Sequence, residues 1–407
     1  MEQMREPQNM DTGATAEKNS AVQTEKTTYT NGNKVPNVPP LRFPEFTDEW
    51  KETTIGTIAT VVGGGTPDTT QKENWDGDIL WYTPSEIGKE KYVSNSARRI
   101  TTIGLKKSGA KLLPKGTILL TSRATIGECS IALHECTTNQ GFQSLIANPA
   151  VNNEFLFYLI SSKRKELLKR ACGSTFLEIS ANEVRKIKVK SPSIEEQNKI
   201  GFLLSLIDER IATQIKIIED LELLKSAIYH RIFSSMKGKM VALKSIANII
   251  KGKQLNGTEL SDNGDYYVMN GGIVPSGYYH AYNAPANTIS ISEGGNSCGY
   301  VQFNNLPFWS GGHCYTLKMS STDIDLTFLY HYLKHKEKDI MSLRIGSGLP
   351  NIQKKDLGNF PILLPAIDEQ EKAVCLFDAL QQKVEIETKL HNHFFTQKQY
   401  LLRHMFI

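Results

Sequence analysis

The stretch VGGGTPDT, residues 62–69, is the first place where residue types suggest chemistry. Runs of glycine let backbone N–H groups cradle a phosphate. This run has neither the G-x-G-x-x-G spacing of a dinucleotide site nor the lysine of a nucleotide loop, so a turn before a recognition loop is the better reading. Pro67-Asp68 could open a nuclease-type site, yet Thr-Pro-Asp-Thr is a good turn by itself. His134, His280, His313 and His391 have no metal-ligand spacing. The six cysteines (129, 136, 172, 298, 314, 375) contain no C-x-x-C pair and read as buried free thiols in a reducing cytosol. No catalytic constellation and no metal site emerges. What remains is local positive charge, in KRKELLKR (163–170), RKIKVK (185–190), KGK (237–239 and 251–253) and KHKEK (334–338). With a net charge of only +4, such patches can still bind phosphate, although for any single run a solvated helix face or strand end is the better reading.

The elements that would carry these residues come in duplicate. Slid against itself by 173 residues, the chain sets Phe155-Leu156 on Phe328-Leu329, Gly173-Ser174 on Gly346-Ser347, Pro192 on Pro365 and Glu196-Gln197 on Glu369-Gln370. The match runs without a gap to Phe233 over Phe406. Upstream the offset drifts. TIGTIATVVGGG (54–65) matches ALKSIANIIKGK (242–253) at 188, and GTILLTSRATIG (116–127) faintly resembles ANTISISEGGNS (286–297). Each copy therefore holds a variable part and an alike part. The variable parts read as mixed α and β: short strands (GTILLTS, RKIKVKSP, NTISIS, GNFPILLP) and one helix each, NNEFLFYLISSKRKELLKR and LTFLYHYLKHKEKDIM.

The alike parts read as long helices. Residues 195–236 contain no proline and one glycine, Gly201. Their apolar seam is Leu204, Ile207, Ile211, Gln214, Ile218, Leu221, Lys225, Ile228 and Ile232, alternating three and four residues as in a coiled coil. The second seam keeps phase: Phe377, Leu380, Val384, Glu387, His391, Phe394, Lys398, Leu401 and Met405. The polar interruptions coincide, Gln214 with Glu387 and Lys225 with Lys398, as register-setting positions do. About 42 residues make a rod of roughly 63 Å, too long for one ordinary domain. Short connections favour an antiparallel pair with approximate twofold symmetry. The fold class is α+β, an internal repeat with two mixed domains and two paired helices. Residues 1–40, rich in Thr, Asn, Gln, Glu and Pro, read as disordered, with no secretory signal and no apolar run long enough to span a bilayer.

A duplicated P-x-x-x-E-Q leading into a long helix, each copy behind a divergent domain, resembles the specificity subunit of type I restriction–modification systems. LRFPEFTDEWKETTIGTIATVVGGGTPDT (41–69), WDGDILWYTPSEIG (75–88) and GSGLPNIQKKDLGNFPILLPAIDEQ (346–370) carry the likeness. The first copy has Phe176-Leu177-Glu178 where the second has Leu349-Pro350-Asn351, so a different backbone is expected at that turn. The resemblance implies target-recognition domains at 41–190 and 239–361, and conserved spacer helices at 191–238 and 362–407. It implies a cytoplasmic, non-catalytic subunit that reads a bipartite double-stranded DNA target, one half per domain. Two modification subunits would methylate adenine with S-adenosylmethionine, and a restriction subunit would translocate and cut with ATP and magnesium; none of these cofactors would bind here. Consistent with that, the one Asn-Pro, Asn148-Pro149, is followed by Ala-Val rather than by the Pro-aromatic of an adenine methyltransferase. The alternative is a coiled-coil scaffold whose globular ends bind non-DNA ligands.

If DNA is the ligand, base reading calls for Arg or Lys on guanine and Asn or Gln on adenine. Ser122, Arg123 and Thr125 follow the GTILL strand, with Arg123 the strongest candidate; its competing reading is a surface salt bridge. Arg98, Arg99, Asn139 and Gln140 come next. In the second domain Asn270, Asn296 and His313 sit in glycine-rich loops that are also plausible as plain hairpin turns. Lys163, Arg164, Lys186, Lys354 and Lys355 are phosphate candidates. Helix pairing is assigned to Leu204, Ile207, Ile211, Ile218, Leu221, Ile228, Leu380, Val384, Phe394 and Leu401.

Overall fold

The computed structural model describes residues 37–173, 177–346 and 348–407. Of the segment expected to be disordered, residues 1–36 lie outside the described residues. Asn37, within that segment, is held: its carbonyl accepts the Trp50 N–H at 2.8 Å.

Two long helices, Ile194–Ser235 and Ile367–His404, form the rod. They run antiparallel, since contacts that climb one helix descend the other. Asp208 pairs with Lys398, Gln214 with Glu387 and Lys225 with Gln381. Gln214 and Glu387 are the same position of the two copies, so the pseudo-twofold axis passes between them. Hydrogen bonds from Lys383 and Gln214 hold the Glu387 carboxyl below its ordinary range, which keeps it an anion in the seam. Ile207, Val384 and Leu401 are buried along this face, while Ile211, Ile218, Leu221, Ile228, Leu380 and Phe394 are half-buried. Leu204 and Leu401 also join the core of the first head, so they serve domain packing as well as the helix pair.

Each rod helix begins in one head and ends in the other. Ile200 and Leu204 of the first helix, and Leu401, Met405 and Phe406 at the far end of the second, share the first head's core. Tyr229 and Phe233 at the end of the first helix, with Ala373 and Phe377 near the start of the second, share the other core. Phe406 packs 5.5 Å from Phe155, and its counterpart Phe233 packs 5.8 Å from Phe328. The P-x-x-x-E-Q glutamines explain how head and rod are joined. Gln197 Nε2 donates to Pro192 O at 3.0 Å, and its Oε1 accepts the Asn152 N–H at 3.1 Å. Gln370 repeats this on Pro365 O and the Asp325 N–H, at 3.0 and 2.8 Å. Each glutamine thus ties its rod helix to the N-cap of the head's own helix, Asn153–Ser162 or Leu326–His335.

The heads share one topology. The first has the antiparallel strands Ala59–Gly63, Gln143–Ala147, Ile118–Leu120 and Cys129–Ala132, with Tyr92–Val93 added in parallel. The second has Ala247–Lys251, Cys314–Met319, Thr288–Ser292 and Val301–Asn304 in the same order. Beside each lies a three-stranded sheet containing one parallel pair, Trp75–Tyr82 with Cys136–Thr138 and Tyr266–Met269 with Trp309–Ser310. A ribbon joins head to rod, Lys51–Thr54 on Lys188–Ser191 and Lys239–Ala242 on Pro361–Leu364.

Two expectations about the heads need correction. The single helix expected in each head is broken, at Lys163 and at the equivalent Lys336, both near φ −90°. No Pro or Gly marks the break, so packing imposes it. The match of residue 116 with 286 is one residue out of register. Gly116 and Asn287, both at positive φ, occupy the same turn before the strand, and the chance identity of Ser122 with Ser292 hid the shift. The two turns expected to differ, those containing Glu178 and Asn351, are closed by equivalent bridges. Glu178 pairs with Cys172 as Asn351 pairs with Ile345; Phe176 lies outside the described residues.

Phe406→Ala should cost the first head about 3–5 kcal/mol and Phe233→Ala the second head a similar amount, because each removes a buried ring. Hydrogen exchange should show each loss confined to its own head. A pH effect is expected at the second junction. His331 lies between Tyr229 Oη (2.9 Å from Nδ1) and Asp378 (3.0 Å from Nε2). Burial pulls its imidazole below the ordinary range, outweighing the Asp378 hydrogen bond. Its stabilising contribution is therefore complete above about pH 6.5 and is lost as pH falls below that value, because the unfolded chain takes the proton first. The dependence of the second head's melting temperature on pH between about 5 and 7 should flatten in His331→Gln.

Candidate nucleic-acid interface

At one end of each main sheet three chain segments are stitched together by the same backbone bonds. In the first head the Ser122 N–H donates to Gly141 O at 2.8 Å, and Ser122 O accepts the Ile179 N–H at 3.1 Å. In the second head the Glu293 N–H donates to His313 O and Glu293 O accepts the Ile352 N–H, both at 2.9 Å. The isolated bridges Arg123 with Glu178 and Gly294 with Asn351 complete the correspondence. The strand hairpins aim these loops outward, and the turn containing Ala124 reverses through positive φ.

The segments bring several candidates together. Arg123 stands with Nε 2.9 Å from Glu178 Oε1, its side chain 43% exposed. Asn139 is half-buried and its Oδ1 accepts the Gly141 N–H at 2.8 Å; Gln140 is exposed and accepts from the Thr66 hydroxyl. Thr125 is exposed on the same turn. In the second head Asn270 Oδ1 accepts the His313 N–H at 3.2 Å, and Asn296 is exposed on the loop that starts at Glu293.

Other candidates lie elsewhere. Ser122 is fully buried beneath the loop, so it cannot touch a ligand; only its backbone serves the site. Arg98 and Arg99 sit on the small sheet, Arg98 stacked 3.5 Å from the Trp75 ring centre and Arg99 donating to Asn95 Oδ1 at 3.0 Å. Lys163 donates to the Ile407 carbonyl and lines a groove of about 470 Å³ with Lys188 and Lys190, at the end of the rod. Arg164 is paired with Glu128 and Lys186 with Glu183. Lys354 and Lys355 are exposed, and with Lys244 they line a second groove of about 340 Å³.

Sequence reasoning passed over Glu178, Glu293, Gly294 and Asn351. The signal was present for two of them, because Glu178 and Asn351 differ inside an otherwise matching junction. Glu293 is buried; its Oε1 accepts the Tyr315 hydroxyl at 2.9 Å and faces Lys251 Nζ at 2.6 Å. Burial and that carboxylate push the Tyr315 phenol up, so it stays a donor. This network props the second loop cluster from below. The outward groups offer hydrogen-bond donors and acceptors on exposed loops, which suits recognition of a polar ligand. Among the described residues no helix is long and apolar enough to cross a membrane.

Two stretches of the chain, residues 47–223 and 237–393, match the family described as type I restriction modification DNA specificity domain. The chain is 42% identical over 178 residues to the type I restriction enzyme MjaIX specificity subunit of Methanocaldococcus jannaschii, covering 43% of this chain and 41% of that protein. It is 36% identical over 161 residues to a putative type I specificity subunit of Mycoplasma pneumoniae, covering 37% and 43%. Those two alignments therefore span less than half of either relative. With the EcoprrI specificity subunit of Escherichia coli the identity is 23% over 339 residues, covering 77% and 83%. The crystal structure of a type I restriction–modification S subunit from M. genitalium superposes with a TM-score of 0.63 at 22% identity, over 91% of this chain and 99% of that one, a likeness of fold. With both matched stretches together covering most of the sequence, the chain belongs to the type I restriction modification DNA specificity family and carries the domain twice.

Proposed function

We propose that this protein is the DNA-reading subunit of a type I restriction–modification complex and does no chemistry itself. Each head reads one half of a bipartite duplex target, and the rod sets the unread gap between the halves. The observation that carries this reading is the exchange of helix ends: each rod helix is rooted in both cores, so the distance between heads follows from helix length. A pseudo-twofold protein with two outward loop clusters suits a duplex with two half-sites. The proposal places two modification subunits on the two equivalent faces of the rod, where they would methylate adenine with S-adenosylmethionine. A restriction subunit would join them to translocate and cut with ATP and magnesium, and the complex would work in the cytoplasm.

Removing seven residues from each rod helix, one heptad on the same side of Gln214 and Glu387, keeps the seam in phase and shortens the rod by about 10 Å, roughly three base pairs of duplex. Selection of bound fragments by the subunit with its modification partners should return the same half-sequences with a shorter gap. Changed half-sequences with an unchanged gap would refute the spacer role. A second expectation concerns the exposed lysines. Lys354→Ala or Lys355→Ala should weaken binding to every sequence alike and reduce the steepness of its salt dependence by about one unit. Titrations at several salt concentrations, on cognate and unrelated duplexes, check it.

A further inference from the structure

The two heads allow a comparison that neither allows alone. Their loop clusters share backbone hydrogen bonds, so three positions can be matched by geometry: Arg123 with Gly294, Glu178 with Asn351, and Gly141 with His313. The neighbours that hold these positions are alike or purely structural. Ile179 and Ile352 are both fully buried, and Cys172 and Ile345 make the same bridges. At the three matched positions the chemistry differs completely. The first head presents a guanidinium with a carboxylate behind it. The second presents a carboxamide and an imidazole around a glycine.

The glycine opens the second cluster. A Cβ added at Gly294 would lie in ordinary contact with Pro350 O at 3.5 Å, His313 Nδ1 at 3.7 Å and Asn351 Nδ2 at 4.0 Å, so a space the size of one methyl group separates the two side-chain polar atoms. Nothing lies within 4 Å of a Cβ added at the next residue, Gly295, which leaves that space open to one side. In the first head the equivalent backbone position carries the Arg123 side chain. Glu178 Oε1 lies 2.9 Å from its Nε, an ion pair without hydrogen-bond geometry, and the side chain is 43% exposed, so the guanidinium remains able to offer paired donors to a ligand. Asn351 uses its backbone N–H and C=O to pair with Ile345, at 3.0 and 2.8 Å, so its side chain is not needed to hold the turn.

We propose that these matched positions determine sequence specificity, Arg123 paired with Glu178 in the first head and Asn351 with His313 across Gly294 in the second. This rests on the DNA-reading function proposed above. A forked donor recognises the O6 and N7 acceptors of guanine, whereas a carboxamide recognises the N6 donor and N7 acceptor of adenine. The first half-site therefore contains a guanine read by Arg123, and the second an adenine read by Asn351. Lys354, Lys355 and the other paired or peripheral cations contribute without discriminating between bases.

The full chain, assembled with its modification subunits, is used to select from duplexes randomised at every position. The unaltered complex should return one bipartite sequence. Arg123→Gln should reduce the preference for one guanine in one half-site by roughly 10- to 100-fold, the scale of a lost bidentate base contact. The other half-site and the gap should stay as they were. Asn351→Ala should do the same to one adenine in the opposite half-site; Asn351→Asp, which keeps the side-chain size, serves if the alanine variant assembles poorly. The pair Gly294→Arg with Asn351→Glu, which copies the first head into the second, should bring guanine into the second half-site. Uniform weakening with unchanged preference would make these residues backbone contacts and overturn the inference while leaving the proposed function standing. So would both single variants altering the same half-site. If the unaltered complex selects no recurring sequence, the proposed function itself fails.

Discussion

The molecule depends on two long helices meeting head to tail about one polar pair. Gln214 and Glu387 are copies of each other, and they touch because the axis relating the copies runs between them. An apolar seam alone would tolerate a slip along the rod. A slip of one heptad would take the buried Gln214 amide off Glu387 and drive the half-buried Lys225 and Lys398 away from Gln381 and Asp208. Polar residues in the seam thus set the register, and the register sets where the heads sit.

The same constraint makes the heads mutually dependent on the rod. Phe406 completes the first core from the far end of the second helix, and Phe233 completes the second core from the far end of the first. The copies are nevertheless fastened differently. Glu196 is buried under Arg42 and Trp50, accepting two hydrogen bonds from the guanidinium at 2.7 Å and one from the indole at 3.2 Å. Its counterpart Glu369 is exposed. The first head is also tied to the rod's end by the Leu41 N–H, which donates to His404 O at 2.9 Å. The second relies on Tyr229, His331 and Asp378. Burial of the His331 imidazole makes the second junction lose stability as pH falls below about 6.5.

Within each head, scaffold and surface are separated by the type of bond each uses. Strand pairing and loop stitching are backbone hydrogen bonds, which any residue can make, so the loop clusters keep one geometry while their outward side chains diverge. Arg123 and Gly294 occupy equivalent backbone positions, one bearing a guanidinium and the other no side chain.

The duplication, the α+β class, the helical rod and its seam were all legible in the sequence, because heptad spacing and a constant 173-residue offset are properties of order along the chain. The antiparallel direction followed from the economy of connections. Sequence also supplied Arg123, Asn139, Gln140, Asn270 and His313 as loop residues, since glycine-rich turns after strands are local signals. Burial is not a local signal. Ser122 reads like its neighbours but lies fully beneath the loop, and the helix break at Lys163 and Lys336 has no Pro or Gly to announce it. The pairing of Arg123 with Glu178, of Gly294 with Asn351, and of the rod's ends with opposite cores joins residues tens to hundreds of positions apart. Only the folded backbone brings such residues together, because chain order constrains neighbours along the sequence and tertiary packing decides neighbours in space.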